Sequence, residues 1–303
     1  MTEAEAMRLL VARLRDAGCV FAEEEAALLT EAAADPADRA DPADPADRAD
    51  PADRARPVDP GTLEGLVRRR VAGEPLEQVV GWAEFDGLRL AVAPGVFVPR
   101  RRTTALARRA SALVPRGRPA VALDLCCGVG AVAAVLLRDH PGLSLVASDL
   151  DPVAVGCARA NLPPGCDVVV GDLFDAVPAR LRGAVDVLTA NAPYVPTGAL
   201  PTLPPEARLH ERVTALDGGR DGLDLHRRIA QEARVWLRPA GSLLIETSAA
   251  QAAAAVDLLT AGGLDAHSEY DVEHETTVVV GVRPQSDAAG GRTMPSAGQM
   301  STG

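Results

Sequence analysis

Aromatic residues make up only 3% of this 303-residue chain, so its core must be aliphatic and it has little surface on which bases of single-stranded nucleic acid could stack. Positive charge is in deficit as well. With 31 basic against 42 acidic side chains the formal net charge is -11, which argues against a surface that holds polyanions without specificity. The arginine runs Arg68–Arg70, Arg100–Arg102 and Arg108–Arg109 read, in that setting, as solvated faces. The five cysteines, Cys19, Cys126, Cys127, Cys157 and Cys166, are odd in number and lack CxxC or Cys/His ligand spacing. A reduced, metal-free, cytoplasmic protein is the expectation. No run of about 18 apolar residues occurs, and the N-terminus is acidic and amphipathic, so neither a membrane span nor an export signal is expected.

What remains is Ala, Val, Leu and Arg in clear periodic patterns, with 47% hydrophobic content, enough for a full α/β core and a smaller accessory domain. Met7, Leu10, Val11 and Leu14 fall at helical spacing within residues 3 to 16, and a second apolar-periodic stretch covers 23 to 33. Between Ala34 and Pro60 the chain becomes an imperfect Asp-Pro-Ala repeat with eight Asp, four Arg and six Pro, expected to be disordered. A helix resumes over 62 to 71. The sequence from Gly81 to Val92 then alternates about Asp86-Gly87, a hairpin turn.

Beyond Pro99 the pattern predicts a doubly wound sheet. Strands are expected at 121–125, 144–148, 167–170, 185–190, 242–247, 266–272 and 276–282, the last pair antiparallel across Glu273–Glu275. A helix is expected after each parallel strand except the one before 191–220, where a long loop intervenes. The predicted division is a helical domain over 1–80 (with the repeat at 34–60), a β-hairpin linker over 81–98, an α/β domain over 99–283 and a disordered tail over 284–303.

The run from Val121 to Ala133 is a buried strand, a small-residue turn and the start of a helix. Gly128 and Gly130 let backbone approach a ligand, and Cys126, Cys127 and Val129 complete the turn. Gly128–Ala133 also fits the G-x-G-x-x-A dinucleotide pattern, with Asp149 about 20 residues on as a ribose-binding acid. The loop alone therefore leaves NAD and S-adenosylmethionine open. Asp124 inside the first strand and Asp172 after the third favour S-adenosylmethionine, whose ammonium and adenine need polar partners where a pyrophosphate would need helix-terminal N–H groups. Asp149 also fits a helix cap, Asp172 a turn cap, and Leu173 either an adenine wall or plain core.

At the end of the fourth strand stands Asn191-Ala192-Pro193-Tyr194, where open α/β sheets bind ligands. A planar amide or exocyclic amine is a poor nucleophile. Such a nitrogen needs acceptors for both N–H groups, which the Asn191 side-chain oxygen and the Ala192 carbonyl supply, with Tyr194 against the substrate plane.

With these residues the chain resembles the HemK/PrmC family, the N5-glutamine methyltransferases of peptide-chain release factors. The likeness also rests on Gly73–Gln78, Gly81–Pro94, Val98-Pro99-Arg100, Asp149, Gly171-Asp172-Leu173 and Ala215–Asp224. The family implies a class I methyltransferase fold, Rossmann-like with a seven-stranded, mostly parallel sheet whose last strand is antiparallel, plus a small N-terminal helical domain. It also implies S-adenosylmethionine as cofactor and a release factor, docked on the helical domain, methylated at the glutamine of a Gly-Gly-Gln motif. Three stretches depart from the pattern: Cys126 and Cys127 stand where glycine and a small residue are usual, Ala192 replaces proline, and Arg101-Arg102-Thr103-Thr104 replaces a stretch with acidic residues. The competing readings are N6-adenine methylation of DNA, N2-guanine methylation of RNA, an NAD enzyme and a cofactor-free interaction module. Direct nucleic-acid binding is disfavoured by the charge and by the lack of a target-recognition region after residue 224.

Overall fold

The computed structural model describes residues 2–34 and 58–285. The bulk of the expected repeat, 35–57, and the tail from 286 lie outside them. The edges drawn for the repeat were too wide, because helix α2 (Ala22–Ala34) continues through Ala34 and helix α3 (Pro60–Val71) begins at Pro60. Asp59 caps α3 by accepting the Thr62 N–H at 2.7 Å, and Pro60 occupies the first turn, where a missing N–H costs nothing.

Helix α1 (Glu3–Asp16) starts with a capping box. Thr2 accepts the Glu5 N–H at 3.2 Å and Glu5 accepts the Thr2 N–H at 2.7 Å. Its apolar stripe meets α2, α3 and the short α4 (Leu76–Val80) in a core of their own that includes Leu14, Ala26, Leu29, Leu66 and Val79. Strands β1 (Trp82–Phe85) and β2 (Leu88–Ala91) follow as the expected hairpin. Its central residues, Asp86 at φ 50° and Gly87 at φ 79°, both lie in the left-handed region that a tight hairpin needs.

The main sheet has seven strands: β3 (Val121–Leu125), β4 (Ser144–Asp149), β5 (Asp167–Val170), β6 (Val185–Ala190), β7 (Leu237–Thr247), β8 (Asp265–Asp271) and β9 (Thr276–Val282). Their order is β5-β4-β3-β6-β7-β9-β8, and only β9 runs antiparallel to its neighbours. The winding reverses between β3 and β6, so a crevice opens at the carboxyl ends of those two strands. Aliphatic cores cover both faces, under α5 (Thr104–Leu113), α6 (Ala131–Asp139) and α7 (Pro152–Asn161) on one side and α9 (Asp224–Trp236) and α10 (Ala252–Ala261) on the other.

Three expectations need correction. Strand β7 begins at Leu237, five residues earlier than its apolar run, because Leu237 is followed by Arg238, Pro239, Ala240 and Gly241, which show no apolar alternation. No α-helix follows β5; a three-residue 3-10 turn at Ala179–Leu181 takes its place after Pro178. The stretch 191–220 is not bare loop. It holds a 3-10 helix (Thr197–Thr202), helix α8 (Pro205–His210) and a 3-10 turn (Val213–Ala215), and its prolines start these short elements as well as break them. Among the described residues no helix is long and apolar enough to cross a membrane.

Candidate active site

Strand β3 delivers Asp124 into the sheet's interior, 2% exposed, and a tight turn then reverses the chain into α6. Asp124 Oδ1 accepts the Thr189 hydroxyl at 2.7 Å, whereas Oδ2 has no hydrogen-bond partner among the described residues. Burial pushes this carboxyl up to about 7. Gly128 (φ 55°) has open space where a Cβ would stand, which leaves backbone bare on the cavity wall. Gly130 (φ 81°) is needed for packing instead, since a Cβ there would meet Ala158 Cβ at 3.2 Å and Leu162 at 3.3 Å. Cys126 lies at φ 53°, a conformation that glycine holds without strain. Burial raises the Cys126 and Cys127 thiols above their ordinary range, and Val129 is buried behind the turn.

Asp149 ends β4 on the cavity wall. Its Oδ2 accepts the Gly128 N–H and its Oδ1 the Asp151 N–H, each at 2.8 Å, so the carboxylate ties the two ligand-facing turns together. The cap of α7 is Asp151, which accepts the Val153 N–H at 2.9 Å; Asp149 is free of that duty. Asp172 also lines the cavity, half-exposed and 3.0 Å from Arg228, and Leu173 beside it is 5% exposed, at once core and cavity wall.

The cavity itself has a volume of about 340 Å³ and brings Cys126, Gly128, Asp149, Asp172 and Leu173 together with Asn191, Ala192, Pro193 and Tyr194. A smaller cavity behind it is lined by Asp124, Cys127, Val129, Thr103 and Asn191, so Asn191 forms part of the partition. All predicted site residues except Gly130 therefore face one of two adjoining spaces. Asn191 donates from Nδ2 to the Thr103 hydroxyl at 3.1 Å. Ala192 is buried, and its N–H meets no acceptor among the described residues. The Tyr194 hydroxyl donates to Glu246 Oε1 at 3.1 Å, and burial beside that carboxylate raises its pKa.

The segment after Ala215 explains itself here. Gly218 N–H bonds Val195 O at 2.9 Å and Val195 N–H bonds Leu216 O at 3.1 Å. A Cβ on Gly218 would approach Pro193 O to 2.7 Å, and one on Gly222 would approach Tyr194 O to 2.2 Å, so glycine lets this loop clasp the tetrapeptide's backbone. Gln251 completes the clasp with Nε2 on Tyr194 O at 2.9 Å.

Several residues at the site had no role assigned to them in the sequence reading. Arg100 and Arg102, taken as solvated, line the cavity; Arg100 pairs with Glu211 at 2.6 Å and Arg102 lies 3.4 Å from Glu246. Arg70, half-buried, lies 2.6 Å from both Glu25 and Glu206 and so joins the helical domain to α8 beside the cavity. Gln78 acts the same way, donating to Val96 O at 2.9 Å and His210 O at 3.2 Å. Glu246 was legible in principle, as a carboxylate at the end of an otherwise apolar strand.

Comparison with known proteins decides the family. The Methyltransferase small domain family matches residues 87–200. Release factor glutamine methyltransferase of Mycolicibacterium smegmatis is 37% identical over 234 residues, covering 74% of this chain and 82% of that protein. The protein of the same name in Cereibacter sphaeroides is 36% identical over 272 residues, covering 87% and 92%. The chain belongs to the release factor glutamine methyltransferase family. It is thus an S-adenosylmethionine-dependent methyltransferase with the class I fold. A 4-amino-L-phenylalanine/4-methylamino-L-phenylalanine methyltransferase from Streptomyces pristinaespiralis is also similar, at 40% identity over 208 residues, covering 67% of this chain and 70% of that protein.

Proposed function

We propose that this chain methylates the side-chain amide nitrogen of a protein glutamine, within the Gly-Gly-Gln motif of a release factor that docks on the N-terminal helices. The observation that carries the reading is the seating of Asn191: its Nδ2 is engaged by Thr103, so its Oδ1 is left for the cavity beside the Ala192 backbone. Two acceptors side by side suit an NH₂ group. They hold both N–H bonds in place and leave the nitrogen's face toward the methyl donor, so that orientation replaces the nucleophilicity an amide lacks.

The residues present fit S-adenosylmethionine. Asp149 keeps a free lone pair on each oxygen for ribose hydroxyls, Gly128 leaves room for close approach, and the unpartnered Asp124 Oδ2 suits the amino-acid ammonium. Leu173 and Asp172 would flank the adenine. When bound, the cofactor supplies a methyl group on a sulfonium. With the cofactor in place, Asn191 and the Ala192 carbonyl would hold the nitrogen's two N–H groups during methyl transfer, and one of those protons would then leave to solvent or a neighbouring acceptor. No base is required beforehand. Asn191→Ala should abolish transfer while cofactor affinity stays within about threefold, since it acts on the substrate nitrogen. Retained turnover would overturn the clamp.

A second reading has an observation of its own. The relative from Streptomyces pristinaespiralis acts on the amino group of an aromatic amino acid, and Arg102 stands in this cavity where the family pattern has acidic character. An exocyclic arylamine presents the same planar NH₂, and a guanidinium at the mouth suits a free carboxylate. Parallel assays with a release factor and with 4-amino-L-phenylalanine separate the two.

A further inference from the structure

Strands β6 and β7 lie side by side and parallel, so the turn that leaves β7 at Thr247 hangs beside the tetrapeptide that leaves β6 at Asn191. Gln251 ends that turn at the N-cap of α10, yet its side chain makes no capping bond. It reaches sideways instead. Its Nε2 donates to the Tyr194 carbonyl and to the Asp221 carbonyl, each at 2.9 Å, while its Oε1 accepts the Ser248 hydroxyl at 2.6 Å.

The orientation of this amide follows from its partners. Carbonyl oxygens only accept, so the end that faces two of them must be the NH₂, and both of its N–H groups are then spent. Neither carbonyl has another donor among the described residues. Gly222 keeps the space open, since a Cβ there would stand 2.3 Å from Gln251 Nε2 as well as 2.2 Å from Tyr194 O. The loop that Gln251 attaches is braced from within. Asp221 accepts the Leu223 N–H at 3.1 Å and Arg227 at 2.9 Å, and Asp217 accepts the Thr197 hydroxyl at 2.7 Å and the Gly219 N–H at 2.9 Å.

We infer that Gln251 is a positioning residue for methyl transfer: one amide pins the Tyr194 carbonyl to the braced loop 217–224 and so sets where Asn191 and Ala192 meet the substrate NH₂. The inference rests on the tetrapeptide being the transfer site. Its effect is geometric, and a displacement of about 1 Å at a reacting centre can cost roughly 100-fold in rate. The cofactor's contacts at Asp124, Gly128 and Asp149 lie at the ends of β3 and β4 and do not depend on this pin.

The sequence permits a test whose first part needs no substrate. Tyr194 and Tyr270 are the only tyrosines, so ¹³C-carbonyl tyrosine labelling yields two signals. Tyr270, on the edge strand β8 opposite Thr277, is the internal reference. Gln251→Met is similar in size and has no donor. It should move the Tyr194 carbonyl signal to lower frequency, leave Tyr270 in place, lower kcat at least tenfold and keep the cofactor Kd within threefold. Gln251→Glu serves if methionine prevents folding; it keeps an acceptor for Ser248 but turns a second oxygen on the two carbonyls, so the same changes are expected. Turnover is read on a release factor or on 4-amino-L-phenylalanine, whichever the wild type methylates. An unmoved Tyr194 signal overturns the inference, and so does a moved signal with kcat within threefold of wild type. A fall in kcat matched by an equal fall in cofactor affinity overturns it too. A wild type that leaves the release factor unlabelled refutes the glutamine reading alone.

Discussion

Asp124 is the residue at which burial and function pull hardest against each other, and Asp124→Asn measures the conflict. Its carboxyl is enclosed on all sides, with its pKa lifted from 3.8 to about 7 by desolvation, while Thr189 and the Ala133 N–H offset part of the effect. In the unfolded chain it ionises near 3.8. Between those two values the folded chain therefore binds more protons than the unfolded one, and stability falls as pH rises. The contribution is fully present below about 4 and lost by about 7. At 1.36 kcal/mol per pH unit the loss amounts to ~4 kcal/mol as an upper bound, reduced by any relaxation of the site. Asparagine keeps an oxygen for Thr189 and cannot ionise. Urea unfolding of cofactor-free protein at pH 4, 5.5, 7 and 8 should show Asp124→Asn gaining on the wild type by a few kcal/mol across that range, then holding a constant difference. Cofactor affinity should move the other way: wild-type affinity should climb with pH up to about 7 as the carboxylate becomes available to the ammonium, and the variant should bind weakly at every pH. A stability difference independent of pH would refute the claim that Asp124 is neutral in the empty fold.

Asp149→Ala should weaken cofactor binding about tenfold or more, because ribose hydroxyls lose a charged acceptor worth roughly 1.5–3 kcal/mol; titration calorimetry giving an unchanged Kd would remove Asp149 from the site. Cys126→Gly should leave stability within ~0.5 kcal/mol of wild type despite loss of a half-buried side chain, since relief of a left-handed φ is worth roughly 1–2 kcal/mol, whereas Cys126→Val should cost more than ~1 kcal/mol. Thermal unfolding of the pair checks this, and equal destabilisation by both would contradict it. Ala192→Pro should retain turnover, as the Ala192 N–H meets no acceptor among the described residues and the role assigned to this position is its carbonyl. A severe loss with fold and cofactor affinity intact would mean that the loop holds its substrate in another way.

The parts of the site legible in the sequence are those fixed by local chain chemistry. Asp86-Gly87 is a hairpin because both residues must take positive φ, the Gly128–Gly130 turn sits between an aliphatic strand and an aliphatic helix, and Asn191 closes a strand buried along its whole length. The fold class follows from such segments taken together. What escaped depends on partners far along the chain. Thr103 gains its role from Asn191, 88 residues on, and Arg102 from Glu246, 144 residues on, so an arginine run that looks solvated in isolation turns into a cavity wall. The elements within 191–220 escaped for a different reason: Pro201, Pro204 and Pro205 look like breakers, yet Pro205 sits in the first turn of α8, and Glu206 and His210 anchor that helix to Arg70 and Gln78.

The most direct test of the account is methyl transfer from labelled S-adenosylmethionine to a purified release factor, followed by mapping of the labelled residue and run beside free 4-amino-L-phenylalanine. The account predicts label on the side-chain nitrogen of the Gly-Gly-Gln glutamine, lost in Asn191→Ala and absent when that glutamine is replaced by glutamate. An unlabelled release factor beside a methylated 4-amino-L-phenylalanine would contradict it.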